Sequence, residues 1–258
     1  MPAWTSVTPS RGPVVVGVDG SRSALNAVTW AVAEAVDRDV PLRIVHALGA
    51  EPEPRPGQNY AVSHVLARAE DAAHQADDSV STEVVTSPGR PGDVLVCESR
   101  RASLICVGSH PRPCDESALF GPTVARLAQR AACPVAIIRS RRDGTPQTDG
   151  AITVVLSDEP ANDDLVRVAM HEGRLRGATV RQIDQRTDSW VRRYPDVHVE
   201  IVTDAAGLRS HLDNTESDPR IGLAVVGPAD TEALGSLTIP NSHPIHGFPD
   251  CSVLVVRG

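Results

Sequence analysis

The sequence predicts an α/β protein made of two tandem copies of one doubly wound unit, each a mainly parallel five-stranded sheet flanked by helices. Two observations support this prediction. Short apolar runs alternate with helical stretches along the first half. Two of these runs, at 104–108 and 133–139, recur at 223–227 and 251–257, with offsets of 119 and 118 residues. Because parallel strands are joined by right-handed crossovers, a doubly wound sheet is the simplest arrangement, and we take the strand order in each unit as 3-2-1-4-5.

The repeat divides the chain into four parts. Residues 1–12 are an N-terminal tail, 13–140 the first unit, 141–150 a polar linker rich in turn formers, and 151–258 the second unit. The second unit has 69 positions from Asp158 to Gly227, where the first has 89 from Asp19 to Gly108. We therefore expect the second helix of the second unit to be cut down.

The elements of the first unit follow from its periodicity. Strand 1 is predicted at 14–19, and Ser21 or Ser23 caps helix 1. Helix 1 carries a narrow apolar stripe formed by Leu25, Val28, Val32 and Val36, with Ala24, Ala31 and Ala35 among them. The later elements are strand 2 at 42–47, helix 2 at 60–77, strand 3 at 80–86, helix 3 at 91–100 with Val94, Leu95 and Cys97 inward, strand 4 at 104–108, a helix opened by Gly121, and strand 5 at 133–138.

Composition excludes several classes of function. A net charge of -8 and 3% aromatic residues argue against a protein held on nucleic acid by a basic surface or by base stacking. No apolar run approaches the roughly 18 residues of a membrane span, and residues 1–12 lack the apolar core of a signal peptide. We therefore expect a cytoplasmic protein with no membrane or nucleic-acid partner.

The cysteines fit a cytoplasmic protein, and the chain has no C-x-x-C pair. Cys97, Cys106, Cys133 and Cys251 fall within or beside apolar segments, and we expect most of them to be buried free thiols. Cys114 lies in a Pro-rich loop and is the one thiol expected to be exposed. An inert loop cysteine is favoured there over a redox-sensitive one.

The loop after strand 4 is the candidate binding site. In a doubly wound sheet, ligands bind at the carboxyl ends of the strands, where the order reverses, and strands 1 and 4 end there at Asp19 and Gly108. Gly121 then opens a helix, whose free N–H groups and dipole favour an anion such as phosphate. In the second unit, Pro240 stands at the position equivalent to Gly121, and Asp158 brings negative charge with Glu159 beside it. We expect no nucleotide phosphate in the second unit.

Several segments together resemble the universal stress protein family, specifically its tandem two-domain form in actinobacteria. These segments cover nearly the whole chain and are specific in combination: residues 16–21 (VGVDGS), 44–46 (IVH), 89–91 (GRP), 107–110 (VGSH) and 133–135 (CPV). The resemblance implies two Rossmann-like domains and a cytoplasmic stress-response role. It also implies that ATP or AMP is bound in the first domain, with Mg as the one metal, accompanying ATP.

In ATP-binding members of that family the loop reads Gly, two residues, Gly, nine residues, Gly, then Ser or Thr. Gly108 and Gly121 match this pattern, whereas Pro111 replaces the second Gly and Pro122 replaces the Ser. Each proline removes an N–H donor, and each lost bond to phosphate costs roughly 1.5–3 kcal/mol. The candidate contacts implied by the resemblance are Gly17, Val18, Asp19, Ala47, Val107, Gly108, His110, Gly121 and Thr123. Thr123 and His110 are expected to compensate in part.

Other candidate residues have structural readings of equal or greater weight. Asp19 is either a nucleoside ligand or the Asx turn that ends strand 1, and both readings stay open. His110 is read as an exposed loop histidine or as a phosphate contact. His243 and His246 are read as loop histidines and not as metal ligands, since no further Cys or His spacing supports a site. Trp190 and Tyr194 share a helical face and are expected to pack on the second sheet.

The residues offer no nucleophile elbow and no Walker P-loop, so an efficient enzyme is not expected. The leading hypothesis is a non-enzymatic stress-response regulator whose first domain senses an adenine nucleotide. The alternatives are a protein-interaction scaffold in which both sites have decayed and, less favoured, a slow ATPase.

The apolar fifth strands at 135–138 and 253–256 would be exposed edges unless paired. The resemblance implies that they pair, as a pseudo-dimer within one chain or in a homo-oligomer.

Overall fold

A computed structural model describes residues 12–49, 58–110, 120–155, 162–183, 194–202, 221–227 and 251–257. Its strands are β1 Val14–Gly17, β2 Leu42–Ala47, β3 Thr82–Ser87, β4 Leu104–Ser109, β5 Val135–Arg139, β6 Ala151–Val155, β7 Val180–Ile183, β8 Val199–Val202, β9 Ile221–Val226 and β10 Ser252–Val255. Its helices are α1 Arg22–Arg38, α2 Gln58–Ala76, α3 Pro91–Glu98, α4 Pro122–Arg130 and α5 Asn162–Arg176.

All of these strands form a single ten-stranded sheet with the order β3-β2-β1-β4-β5-β10-β9-β6-β7-β8. Each half of that order is the predicted 3-2-1-4-5, and the pairs within each half are parallel. The α/β fold of two tandem units is therefore confirmed. The 141–150 linker between them stays a prediction as a domain boundary.

The two halves meet through their fifth strands. β5 and β10 pair antiparallel, with Val253 opposite Ile137 and Val255 opposite Val135. At this seam the buried Ser252 hydroxyl accepts a hydrogen bond from the Arg139 backbone N–H at 3.0 Å. The same hydroxyl donates to the Gln147 carbonyl at 2.7 Å. The apolar edges that would be an aggregation liability are thus covered within one chain.

Two hydrophobic layers lie on the faces of the sheet. One layer contains α1, α2 and α5 packed on residues of both halves, and the other contains α3 and α4. Strand residues such as Val14 and Val16 face the first layer, while Val15 faces the second, as the alternation of a strand requires. This burial supplies most of the driving force that holds the sheet together.

Helix α1 buries more than the narrow stripe that the sequence predicts. Trp30 and Glu34 are buried, while Val36, expected to face the sheet, is 39% exposed. The cap is settled in favour of Ser21, whose hydroxyl accepts from the Ala24 N–H at 3.2 Å. The helix ends at Asp39, which adopts a left-handed conformation with φ 53°.

Some predicted boundaries are wrong by one or two residues. Strand 1 ends at Gly17 and not at 19, because Asp19 turns the chain, and helix 3 ends at Glu98 and not at 100. Helix 2 runs over 58–76 and strand 3 over 82–87. The shortened second helix of the second half falls on residues outside the described ranges.

The cysteine predictions hold for three of the four described thiols. Cys106, Cys133 and Cys251 are buried and form no disulfide, whereas Cys97 is exposed, against the expectation that it faces inward. Burial raises the pKa of the Cys133 thiol to about 12 and raises that of Cys106 well above its usual range. These two thiols are therefore unreactive near neutral pH. Cys114 lies outside the described residues.

Candidate functional site

A cavity of about 310 Å³ opens at the carboxyl ends of β1, β2 and β4. It lies where these strand ends meet the first turns of α1, α3 and α4, which is where doubly wound sheets bind ligands. Its lining includes every site residue predicted from the sequence, namely Gly17, Val18, Asp19, Ala47, Val107, Gly108, His110, Gly121 and Thr123. The structure thus brings these nine residues to one place, and their role in binding stays a prediction.

Gly108 allows the sheet and helix α1 to approach closely beside the cavity. A Cβ atom at this position would lie 2.2 Å from the Ser23 carbonyl carbon and 2.6 Å from the Ala24 nitrogen. These are backbone atoms, so no side-chain rotation could relieve the clash. Gly108 therefore has a structural reason to be glycine whether or not a ligand binds.

Asp19 forms the Asx turn that was one of the two roles predicted for it. Its Oδ1 accepts a hydrogen bond from the Ser21 N–H at 2.9 Å. The side chain is nevertheless exposed and lines the cavity. The turn fixes the carboxylate at the mouth of the site, so the turn does not exclude a contact with a nucleoside, and the ligand role stays a prediction.

His46 lines the cavity but was not predicted as a site residue. Its Nδ1 lies 2.7 Å from the Val18 carbonyl oxygen. A carbonyl can only accept, so Nδ1 carries the hydrogen and Nε2 is left as an acceptor in the neutral ring. The bond ties β2 to β1 one residue beyond their last ladder pair, Gly17 with Val45. The position of His46 at the end of β2, next to the predicted Ala47, was the signal that could have found it.

The start of α4 supplies an open anion-binding end. Gly121 is the N-cap and makes no side-chain capping bond, Pro122 occupies the first turn, and a Cβ at Gly121 would meet no atom within 4 Å. The N–H groups of Thr123 and Val124 have no partner within the helix, because the first turn of any α-helix lacks one. Together with the helix dipole they favour a negative group in the cavity.

The cavity has little positive charge of its own. None of the described lining residues is an arginine, and the chain contains no lysine. Arg139 lies behind the site, with its guanidinium 5.3 Å from the Phe120 ring centre and its Nη1 donating to Ser109 Oγ at 3.5 Å. The other lining residues are mostly apolar, among them Val18, Val45 and Leu95. The arrangement suits a flat apolar group near one end and an anion near α4.

Most of the other residues singled out in the sequence lie outside the described part of the chain. Pro111 lies outside the described residues, as do Pro240, Trp190, His243 and His246 and the acidic pair of Asp158 and Glu159. Tyr194 is described and packs on the main hydrophobic layer, with the Arg174 guanidinium 5.2 Å from its ring centre. The packing predicted for that tyrosine is found, but the helical face is wrong for this residue, because Tyr194 precedes a turn and lies in no helix.

Fold and site together define an α/β protein with a cavity at the carboxyl ends of the strands in its first half. A profile of the universal stress protein family matches residues 11–139. Universal stress protein Rv2624c of Mycobacterium tuberculosis (strain ATCC 25618 / H37Rv) is 34% identical over 267 residues, covering 96% of this chain and 97% of that protein. Universal stress protein Rv3134c of the same strain is 32% identical over 280 residues, covering 95% of each. The chain belongs to the universal stress protein family.

A solved structure supports the tandem fold. A universal stress protein from Archaeoglobus fulgidus DSM 4304 superposes with a TM-score of 0.61 at 11% identity, covering 96% of this chain and 97% of that one. At this identity the likeness concerns the fold alone. Within the described part of the chain, no helix combines the length and the apolar character needed to cross a bilayer.

Proposed function

We propose that this universal stress protein is a non-enzymatic, cytoplasmic regulator that binds an adenine nucleotide in its first half. The observation that carries the proposal is the cavity at the ends of β1, β2 and β4, whose lining contains all nine residues predicted from the family resemblance. The apolar side chains would receive the base, Asp19 would face the ribose, and the N–H groups at the start of α4 would receive phosphate.

The charge of the cavity favours a nucleotide with few phosphate groups. The described lining carries one carboxylate, Asp19, and no guanidinium or ammonium group. Pro122 supplies neither the N–H nor the hydroxyl of the residue that stands there in ATP-binding relatives. We therefore expect AMP to bind at least as well as ATP, and ATP to depend on Mg²⁺ for charge compensation.

A protein-interaction scaffold is the second candidate, and Pro122 is the observation that favours it. Pro122 lacks the N–H that could donate to phosphate. If this loss, together with Pro111, removes nucleotide binding, the fold would remain intact and its outer helices could still bind a partner protein. The slow ATPase is a third candidate, which fails if phosphate release does not exceed that of a matched blank.

Calorimetric titration of the full chain with AMP, and with ATP in the presence and absence of Mg²⁺, tests the proposal. We expect saturable heat with AMP. The decisive variant is Gly121→Asp, which places a carboxylate where the phosphate would sit while adding a favourable N-cap to α4. Its matched control is Gly121→Asn, which has nearly the same shape and no charge, and the space around Gly121 accommodates both.

Gly121→Asp should lower affinity at least about tenfold and more than Gly121→Asn, because both side chains can cap the N–H groups of α4 and only the aspartate adds a negative charge. Equal binding by both variants would place the phosphate elsewhere. If neither AMP nor ATP gives heat at millimolar concentration, and denatured protein releases no nucleotide, the sensor is excluded and the scaffold remains. Pro111→Gly with Pro122→Ser should then restore ATP binding if only the loop has decayed.

A further inference from the structure

A second cluster of polar groups lies outside the cavity, where α1 meets α5. Glu34 on α1 and Glu172 on α5 are both fully buried, with 0% of each side chain exposed. The two residues are 138 positions apart, the same offset as Val14 and Ile152, which lie in the repeated first strands. Arg38 and Arg176 show the same offset. The cluster is thus a Glu-x-x-x-Arg pair from each half, brought together across the pseudo-two-fold axis.

The two carboxylates differ in the number of hydrogen-bond donors that contact them. Glu34 Oε2 accepts from Arg38 at 2.7 Å, and Glu34 Oε1 accepts from Arg176 Nη2 at 2.7 Å. Glu172 Oε2 accepts from Arg176 Nε at 2.8 Å. Glu172 Oε1 is buried and has no hydrogen-bond partner among the described residues. Because a buried carboxylate oxygen without a donor is costly, this oxygen requires an occupant.

A metal ion is a poor occupant. The ligand atoms of Glu34, His171 and Glu172 lie within 4.8 Å of one another, which is close enough to surround a cation. However, both oxygens of Glu34 already accept from guanidinium groups. The positive charges of Arg38 and Arg176 would repel a cation at this point. A proton fits better, because it satisfies Glu172 Oε1 and removes one of two neighbouring negative charges.

We propose that Glu172 holds a proton, shared with Glu34, at the seam between α1 and α5, and that losing it loosens this contact between the two halves. Burial, followed by the negative charge of Glu34, raises the pKa of the Glu172 carboxyl to about 8. The proton is therefore retained at neutral pH and is lost in mildly alkaline solution. Loss of the proton leaves two neighbouring carboxylates that both bind Arg176, and Arg38 contacts only Glu34 of the two.

Other charged and titratable groups face the pair from the elements packed around it. Asp37 and Arg38 face it from α1, and the carboxylate of Asp37 lies 3.3 Å from His171 Nε2. His171 and Arg176 face it from α5. From β4 the thiol of Cys106 lies within electrostatic range, and burial raises its pKa so far that it stays neutral in mildly alkaline solution.

The fluorescence of Trp30 should report on the state of the cluster. The Arg176 guanidinium lies 3.9 Å from the Trp30 ring centre, so a change in the position of Arg176 should alter the indole emission. The chain has three tryptophans, and Trp4→Phe with Trp190→Phe leaves Trp30 as the single reporter. In this background we expect a sigmoidal change in emission with a midpoint near pH 8.

Glu172→Gln, which is nearly isosteric and cannot ionise, should abolish the transition. Glu34→Gln should move the midpoint to lower pH, because it removes the neighbouring negative charge. His171→Gln is the matched control: it deletes the nearby imidazole, and the transition should persist. Circular dichroism at pH 6 confirms that each variant is folded.

Three results would overturn the proposal. The first is a parent protein without a transition between pH 6 and 10, and the second is a transition that survives in Glu172→Gln. The third is a transition that disappears in EDTA, because it would show that a metal occupies the cluster. None of these results depends on nucleotide binding, so the proposal stands or falls separately from the proposed function.

Discussion

The two halves share one architecture and differ at the carboxyl ends of their strands. In the first half, Gly108 packs directly on the backbone at Ser23. In the second half the equivalent Gly227 meets the Leu165 side chain, and a Cβ there would lie 3.3 Å from a Leu165 methyl group. Both halves keep the order 3-2-1-4-5, yet the family profile matches 11–139 and stops before the second half. The strand order is thus shared, whereas the close approach of the fourth strand to the neighbouring helix backbone is found at Gly108 and not at Gly227.

The largest expected difference between the halves concerns the paired glutamates. Glu34→Gln breaks contacts with two guanidinium groups and should cost about 3–5 kcal/mol of unfolding free energy at pH 7. Glu172→Gln should cost far less, because Glu172 has one guanidinium partner and carries a proton at that pH. Urea denaturation of both variants at pH 7 measures the difference. Equal costs would show that the two carboxylates are in the same state.

The same pair predicts a pH dependence of stability. Because the pKa of Glu172 is raised to about 8 by folding, the folded protein holds a proton that the unfolded chain releases above its ordinary pKa of 4.5. This contribution is fully present in acid and is lost as the pH rises through that window, by up to about 1.4 kcal/mol per pH unit. Urea denaturation at pH 6, 7 and 8 should show the loss in the parent. Glu172→Gln should show a smaller slope, and an unchanged slope would contradict the assignment.

A second comparison concerns the two glycines. Gly108→Ala forces a methyl group into backbone atoms of α1 and should cost about 2–3 kcal/mol. Gly227→Ala contacts a flexible side chain that can move, and should change stability by no more than about 1 kcal/mol. Thermal denaturation of the two variants gives the ranking. A larger cost at Gly227 would mean that the second half is packed as tightly as the first.

The smallest expected effect concerns the start of α1 beside the cavity. Ser21→Ala removes the bond from the Ala24 N–H and should cost about 1 kcal/mol. Thr29→Ala is the control, because Thr29 is exposed on the same helix and its hydroxyl donates to the Leu25 carbonyl within one turn. Alanine is the better helix former there, so that variant should be neutral or more stable. If both lose stability equally, Ser21 has no special role as a cap.

The sequence was sufficient to predict the features of the fold that depend on local hydrophobic patterns and on the internal repeat. Apolar runs and the near-constant repeat offset predicted the strands and their duplication, and the family resemblance predicted the residues that gather at the cavity. His46 was missed because its hydrogen bond to the Val18 carbonyl depends on two strands ending side by side.

The burial of Glu34 was missed for a related reason. A glutamate in a helical stretch is expected at the surface, and the contact of Glu34 with Arg176 involves a residue 142 positions away in the other half. The signal was nevertheless present in the sequence. Glu34 and Arg38 repeat as Glu172 and Arg176 at the offset of the first strands, so the sequence already contained the charged pairs that meet in the structure.

The antiparallel pairing of β5 with β10 also bears on how such a protein can change over time. In a symmetric dimer of single-domain chains, every substitution appears twice, so a site cannot be lost from one subunit and kept in the other. Joining the subunits in one chain removes that constraint and makes their association independent of protein concentration. The second half can then act as a permanent partner that covers the edge of the first, free to lose a binding site without exposing a strand.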